Sequence, residues 1–335
     1  MKKRSAISLM SGGLDSTLAT KLVLDQGIEM IGLYLDSPFG CRENVDMIAK
    51  HLGIRLIKIQ KGMDYVELVR HPKYGYGKNM NPCIDCRVYM FRIAQGVMKE
   101  QRADFIVTGE VLGQRPMSQR RESISLIDRN SQVEDRILRP LSARHFPPTY
   151  MEREGWVDRE KLLKLSGRSR TKQLKWAEDL KLSGYSSPAG GCLLTDANFS
   201  KRLSAFFERV SQPTMTEVRL IRIGRHFDLS GGGHVVIGRN EAENKALWRI
   251  SEQDVRDERM HFFHPRFSAP DAVFTGSQDR NAFNEVGKLI VKYAKKDLEP
   301  RQTIEVMYGE VTTLLPVHVS KNPESSLSNG LSVLP

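Results

Sequence analysis

The chain has 335 residues, 40% of them apolar and 27% charged, with a formal net charge of +11. That length predicts two domains, or one large domain with an appendage, and supplies the material for a sizeable core. No apolar run approaches the ~20 residues of a membrane-spanning helix, and the positive charge favours a polyanionic partner such as RNA, DNA or an anionic surface.

The chain opens with "MKKRSAISLM", a basic start followed by a short apolar run broken by Ser8. With no small-residue cleavage site it reads as a first strand rather than a signal peptide, so a cytoplasmic protein with no membrane partner is expected. "SAISLM" is a strand and "STLATKLVLDQG" a helix closed by Gly27. "EMIGLYLDS", "ENVDMIAKHLG" and "IRLIKIQ" continue as strand, helix and strand. "VYMFRIAQGVMKEQRA" is helical, "DFIVTGEV" is a fourth strand and "RILRPLS" a fifth. The alternation predicts an α/β domain: a Rossmann-like parallel sheet with helices on both faces. "DREKLLKLSG" and "TKQLKWAEDLKL" read as helices, with Arg168, Arg170, Lys172 and Lys175 on or beside them.

Near residue 210 the pattern changes. "VRLIRIGRHFDLSGGGHVVIGRN" is a hairpin about a glycine turn, "EAENKALWRI" a short helix, "DAVFTG" and "TIEVMYGEVT" strands, and "RNAFNEVGKLIVKYAKK" a longer helix. The expected division is 1–200 for the α/β domain, 210–320 for a smaller α+β domain, and 321–335 for a polar, turn-rich, disordered tail.

The stretch "LMSGGLDSTLATKLV" carries the chemistry of the first domain. It lies between a strand and a helix, where an open α/β sheet binds ligands. Gly12 and Gly13 let the backbone approach a ligand, the N–H groups at the helix start favour an anion, and Ser11, Ser16 and Thr17 add hydroxyls for phosphate oxygens. No lysine stands where a G-x-x-x-x-G-K-[ST] loop needs it, and the string is not G-x-G-x-x-G. "SGGLDS" resembles the SGGxDS signature of the PP-loop ATPases. That resemblance implies ATP chemistry in which a carbonyl oxygen is adenylated, pyrophosphate is released and a nucleophile displaces AMP. It implies that Ser11, Gly12, Gly13, Asp15 and Ser16 hold the pyrophosphate part of ATP, that Asp15 helps hold Mg2+, and that Tyr34, Leu35 and Asp36 lie near adenine. "TGEVLGQRPMSQ" follows the fourth strand and should face the nucleotide. It offers Thr108, Gly109 and Glu110 to the adenylate, and Gln114, Arg115 and Gln119 to phosphate or the target nucleotide. Arg139 is either a phosphate contact or an exposed cation.

Four cysteines occur, Cys41, Cys83, Cys86 and Cys192. "NPCIDCR" places Cys83 and Cys86 one turn apart at a helix start, where the helix dipole favours thiolate. Cys192 lies far away in "SSPAGGCLLTD". Three thiolates suit a [4Fe-4S] cluster with one iron left open for sulfide. A zinc site would need a fourth ligand such as Cys41 or a histidine. A persulfide pair would need no metal, and buried thiols would need no chemistry at all. The strings resemble tRNA thiolation enzymes: "NPCIDCR" is similar to the tRNA 2-thiouridylases, with Cys86 and Cys192 at their two cysteines, and "TGEVLGQRPMSQ" and "ILRPLS" to the tRNA 4-thiouridine synthases. The implied activity is uridine thiolation in tRNA, with Asp15, Cys83, Cys86 and Cys192 as catalytic residues. Sulfur would come from sulfide or from a carrier protein or cysteine desulfurase. A PP-loop ligase or amidase with structural zinc, and an RNA-binding protein with a relict nucleotide fold, are the alternatives. The oligomeric state is open, a homodimer among the options.

"HFDLSGGGHVVIGRNEAENKALWRI" and "MHFFHPRFSAPDAVFTG" resemble the RNA-binding domain of the NFACT family. That implies RNA contacts from Arg225, Arg239, Asn240, His264 and Arg266, beside Arg115, Gln119, Arg168 and Arg170 of the first domain. His261 and His264 read as strand-edge residues rather than metal ligands.

Overall fold

The computed structural model describes residues 3–40, 44–182, 184–185, 192–253, 260–276, 279–295, 298–318 and 332–334. The chain divides into two compact units, Met1–Ala197 and Asn198–Pro335.

The first unit runs β1 (Ser5–Met10), α1 (Leu14–Leu24), β2 (Glu29–Asp36), α2 (Val45–Leu52), β3 (Arg55–Gln60), α3 (Met63–Arg70), α4 (Cys83–Glu100), β4 (Phe105–Thr108), α5 (Arg121–Ser131), β5 (Ile137–Leu138), α6 (Tyr150–Arg153) and α7 (Thr171–Asp179). The strands form one parallel sheet in the order β3-β2-β1-β4-β5. Side chains alternate across the sheet, so both faces need apolar residues and a cover. Ala6, Phe105 and Val107 pack with Leu14 and Leu18 of α1 and Ala177 of α7. Ile7, Leu9, Leu33 and Ile106 pack with Phe91 and Ala94 of α4 and Ile127 of α5. Successive strands leave β1 in opposite directions, toward β2 and toward β4. The carboxyl ends of β1 and β4 therefore flank a topological switch point, where such sheets bind ligands.

Two expected elements differ. "DREKLLKLSG" is not a helix: beyond a single turn at Arg159–Lys161, the N–H groups of Leu163 and Leu165 donate to Pro140 and Leu141, so an extended segment runs beside residues 139–142. Tertiary pairing outweighs local propensity there. "VRLIRIG" is not a strand at its start. Thr214 and Glu217 form a reciprocal capping box that opens a helix instead.

The second unit contains α8 (Ala197–Arg209), α9 (Met215–Leu220), β6 (Arg225–Asp228), β7 (His234–Ile237), α10 (Glu241–Gln253), β8 (Met260–Pro265), β9 (Ala272–Thr275), α11 (Arg280–Lys292), β10 (Arg301–Tyr308), β11 (Val311–His318) and β12 (Ser332–Leu334). Its antiparallel sheet has the order β11-β10-β8-β9-β7-β6-β12. One face buries Phe227, Val235, Phe263 and Phe274 against Val286, Leu289 and Ile290 of α11. The other buries Val236, Phe262 and Val273 against Leu220 of α9 and Leu247 of α10. Residues 332–334, expected in a disordered tail, pair with β6; residues 319–331 lie outside the described residues. The excess of Lys and Arg sits almost wholly in the first unit, and the second is close to neutral. Among the described residues no helix is long and apolar enough to cross a membrane.

Candidate active site

The loop after β1 is shaped by Gly12, whose φ of +76° lies in the left-handed region that glycine adopts without strain. Gly13 precedes α1 in an extended conformation, with no side chain capping the helix. The Ser16 and Thr17 hydroxyls donate to the Gly13 carbonyl at 2.9 and 3.0 Å, and the Ser11 and Ser16 oxygens stand 3.2 Å apart. These bonds fix the turn, and the start of an uncapped eleven-residue helix presents its N–H groups to an anion. Thr17 is buried and braces the loop rather than facing the pocket.

β4 meets this turn through Gly109. A Cβ there would lie 2.5 Å from the Asp15 carbonyl carbon and the Ser16 nitrogen, so only glycine lets the strand end reach α1. Gln114 then donates to Asp15 Oδ2 at 2.6 Å, Gln173 donates to Gln114 Oε1 at 3.3 Å, and Arg170 pairs with Asp15 Oδ2 at 3.3 Å. Asp15 Oδ1 is buried with no hydrogen-bond partner. An orphaned carboxylate oxygen beside a phosphate cradle fits a hard cation such as Mg2+.

A pocket of about 240 Å³ joins this cradle to the cysteines. Ser11, Gly13, Asp15, Ser16, Thr108, Gly109 and Gln114 line it together with Cys83, Cys86 and Cys192. The three thiols, Cys192 distant in sequence from the other two, are free and line the same pocket. α4 begins at Cys83, which puts both members of the C-x-x-C pair in its first turn. Asp85 anchors that turn by accepting from the Lys73 and Tyr74 N–H groups at 3.0 Å. The segment carrying Cys192 is tied down by Leu193 N–H donating to Phe39 O at 3.1 Å, and by Asn79 donating to Thr195 O at 2.8 Å.

The thiols are electrostatically unequal. Burial pushes Cys86 up, but Lys61, whose Nζ is 3.4 Å from the sulfur, the Tyr65 hydroxyl at 3.2 Å and Arg87 together carry it below its ordinary value. Burial pushes Cys83 up, with the neighbouring Cys86 charge adding to it. The same two causes push Cys192 up to about 12. Of the three thiols facing the pocket, Cys86 is therefore the one most readily ionised. Among the described residues no three His, Cys, Asp or Glu side chains are placed to hold a single metal ion. A [4Fe-4S] cluster spreads its thiolates over separate irons, and three free soft donors lining one pocket fit that donor set. Cys41 lies outside the described residues.

Arg87, Arg115 and Arg170 also line the pocket. Although part of Arg115 reaches solvent, desolvation and the charges of Arg87 and Arg170 pull its guanidinium down. Such crowding of cations prepares a site for a multivalent anion. Arg115 and Arg170, expected against RNA, thus line the pocket beside the glycine turn and the thiols, while Arg168 is exposed.

Other expected residues serve the scaffold. Gln119 is buried and accepts from the Arg115 N–H at 3.0 Å, bracing the loop. Arg139, 6% exposed, is neither a surface cation nor a phosphate contact. It holds Asp128 through two bonds of 2.6 and 2.9 Å and Glu110 at 2.9 Å, which withdraws Glu110 from the nucleotide. Leu35 is buried in the core and Tyr34 packs against Val45 and Ile48; neither side chain lines the pocket. In the second unit Asn240 caps α10 by accepting from the Glu243 N–H at 3.0 Å. Arg239 is held by Glu243, Arg225 lies over the Tyr293 ring, and His261 is buried against Tyr308. The residues that sequence reading missed are Lys61, Tyr65 and Arg87. Lys61 directly follows β3, at the strand end where a parallel sheet places its chemistry, and that position was the available signal.

The fold is a parallel-sheet α/β unit with a pocket lined by a glycine turn and three thiols, followed in the chain by an antiparallel-sheet unit. Residues 2–145 match the ThiI family, described as thiamine biosynthesis protein, and residues 224–328 match the NFACT protein RNA binding domain. A tRNA-specific 2-thiouridylase MnmA of Nitratiruptor sp. is 33% identical over 32% of this chain and 35% of its own length. A probable tRNA sulfurtransferase of Methanothermobacter thermautotrophicus is 27% identical over 32% of this chain and 29% of its own. The chain thus spans about a third of the length of these curated relatives. Among solved structures, a 4-thiouridine synthetase–RNA complex with bound ATP is 20% identical, covers 64% of this chain and 52% of its own, and gives a TM-score of 0.38.

Proposed function

We propose that the chain is a cytoplasmic, ATP-dependent tRNA sulfurtransferase that thiolates a uridine. The observation that carries this reading is the single pocket shared by the phosphate cradle and three free thiols. The first-turn N–H groups of α1 with Arg115 and Arg170 bind the triphosphate, and Asp15 Oδ1 holds its Mg2+. The uridine carbonyl oxygen attacks the α-phosphorus and pyrophosphate leaves. The arginines stabilise the charge that develops on the phosphates. Sulfur then bonds to the activated ring carbon as its bond to the AMP oxygen breaks. Cys83, Cys86 and Cys192 would hold a [4Fe-4S] cluster, which would supply sulfide when bound. The sulfide comes directly or through a carrier protein or desulfurase.

A second reading has a specific observation behind it. The Lys61 ammonium and the Tyr65 hydroxyl reach the Cys86 sulfur at 3.4 and 3.2 Å, as expected if Cys86 carries a persulfide, delivered by a carrier protein or desulfurase, that Cys192 resolves. Anaerobic purification followed by iron and sulfide analysis tests the first reading, which predicts about four irons per chain. Thiolation of tRNA by iron-free protein would refute it. Cys83→Ala separates the two, because a three-thiolate cluster is lost and a two-cysteine route survives.

A further inference from the structure

Among the described residues, α10 covers only part of its side of the second unit's sheet. Register places His264, Glu305 and Leu314 in one row across β8, β10 and β11, and Phe262, Met307 and Thr312 in the next. Phe262 lies beneath α10, but His264 and Leu314 are exposed, Leu314 at 58%. Trp248 of α10 stands at the margin of this open strip, 37% exposed. Its ring meets Phe262 edge-on at 5.1 Å and His264 at 6.1 Å. His264 Nδ1 lies 2.8 Å from Asp271 Oδ1, so in the neutral ring the proton sits on Nδ1 and Nε2 can accept.

We infer that this strip, built on Trp248 and His264, is a subsite for an unpaired RNA base. The base stacks on the Trp248 ring and donates an imino or amino N–H to His264 Nε2, while Leu314 bounds the strip. The inference rests on the proposed reading that the substrate is RNA, and the family matched by residues 224–328 is named for RNA. Two physical arguments favour a base over the phosphate backbone. The second unit is close to neutral, and Arg266 is paired with Glu305, although Lys245 and Arg249 of α10 are exposed. An aromatic face beside a hydrogen-bond acceptor is the chemistry that recognises splayed bases. The division of labour follows: the first unit supplies the salt-sensitive part of RNA binding, and the second supplies a stacking contact that salt hardly touches.

The test uses the full-length chain and two probes, a 12-nucleotide single-stranded RNA and unfractionated tRNA, titrated by anisotropy and by tryptophan fluorescence. Trp248→Ala should weaken single-stranded RNA binding about 5- to 150-fold, the range for one stacked base. The slope of log affinity against log salt should stay unchanged, whereas Arg168→Ala in the first unit should lower that slope by about one. Trp248→Tyr should restore most of the affinity. Leu314→Glu, at an exposed position that needs no repacking, should also weaken binding. Wild-type affinity in both Trp248→Ala and Leu314→Glu would overturn the inference while leaving the sulfurtransferase reading intact. Failure of the wild-type chain to bind either RNA would overturn both. Self-association abolished by Leu314→Glu, with RNA affinity unchanged, would reassign the strip to a second copy of the chain.

Discussion

Gly109→Ala probes the joint on which the nucleotide cradle depends. The added Cβ would lie 2.5 Å from two backbone atoms of the Asp15–Ser16 peptide, and real Cβ contacts essentially never fall below 3.0 Å. Neither neighbour is a flexible side-chain end, so the end of β4 and the first turn of α1 must separate by at least about 0.5 Å, and by about 0.9 Å for an ordinary contact. Overpacking of this kind costs ~1–3 kcal/mol of stability. A displacement of this size in a positioning element costs on the order of 100-fold in rate. The substitution moves Asp15 relative to Gln114 and tilts the N–H groups that face the phosphates. ATP binding by calorimetry, ATP-dependent pyrophosphate release with tRNA, and thermal unfolding report the three consequences. A Gly109→Ala protein that binds ATP with wild-type affinity and releases pyrophosphate at the wild-type rate would refute the assignment of this joint to the cradle.

Arg139→Ala removes the cation shared by Glu110, 1% exposed, and Asp128, leaves Glu110 to Arg87 at 3.4 Å, and should destabilise the first unit by about 1.5–3 kcal/mol in urea unfolding; an unchanged urea midpoint would show that Arg87 alone compensates Glu110. His226 and His234, hydrogen-bonded at 2.9 Å, are both held below the ordinary value of 6.5, by burial first. The unfolded chain therefore takes up protons before the folded one does, so stability should be full above about pH 6.5 and fall as pH drops below it. Thermal melts between pH 7.5 and 5 check this, and His226→Phe should flatten the profile; a wild-type profile with no acid slope would contradict it. Lys61→Met removes the cation beside Cys86 and should raise that thiol, slowing its alkylation by iodoacetamide at pH 7 several-fold as followed by peptide mass spectrometry. An unchanged rate would mean that Tyr65 and Arg87 suffice.

Much of the first unit was legible because its signals are local. Apolar runs bounded by glycine mark the strands, and "SGGLDS" needs its residues adjacent to form one turn. The C-x-x-C pair is likewise legible, since one helical turn brings its sulfurs to one face. Spacing alone could not show that Cys192 joins them, because that convergence depends on Leu193 and Asn79 bonds to segments far away in the chain. Arg139 and Glu110 look like solvent or ligand residues in any sequence; their mutual burial is a tertiary fact. "DREKLLKLSG" carries helix formers, yet its backbone bonds to residues 140 and 141. In the second unit, Arg239 and Asn240 sit in a string that reads as an RNA contact, while their side chains brace the start of α10.

The most direct test of the central claim is reconstituted thiolation: anaerobically purified chain, ATP, Mg2+, isotopically labelled sulfide and tRNA lacking the modification, with nucleosides read by mass spectrometry. Labelled thiouridine should form only with ATP present and should vanish in Cys86→Ser, Cys192→Ser and Asp15→Asn alike. Thiouridine formed at wild-type yield by Cys192→Ser, or formed equally well without ATP, would contradict a pocket in which cradle and thiols serve one reaction.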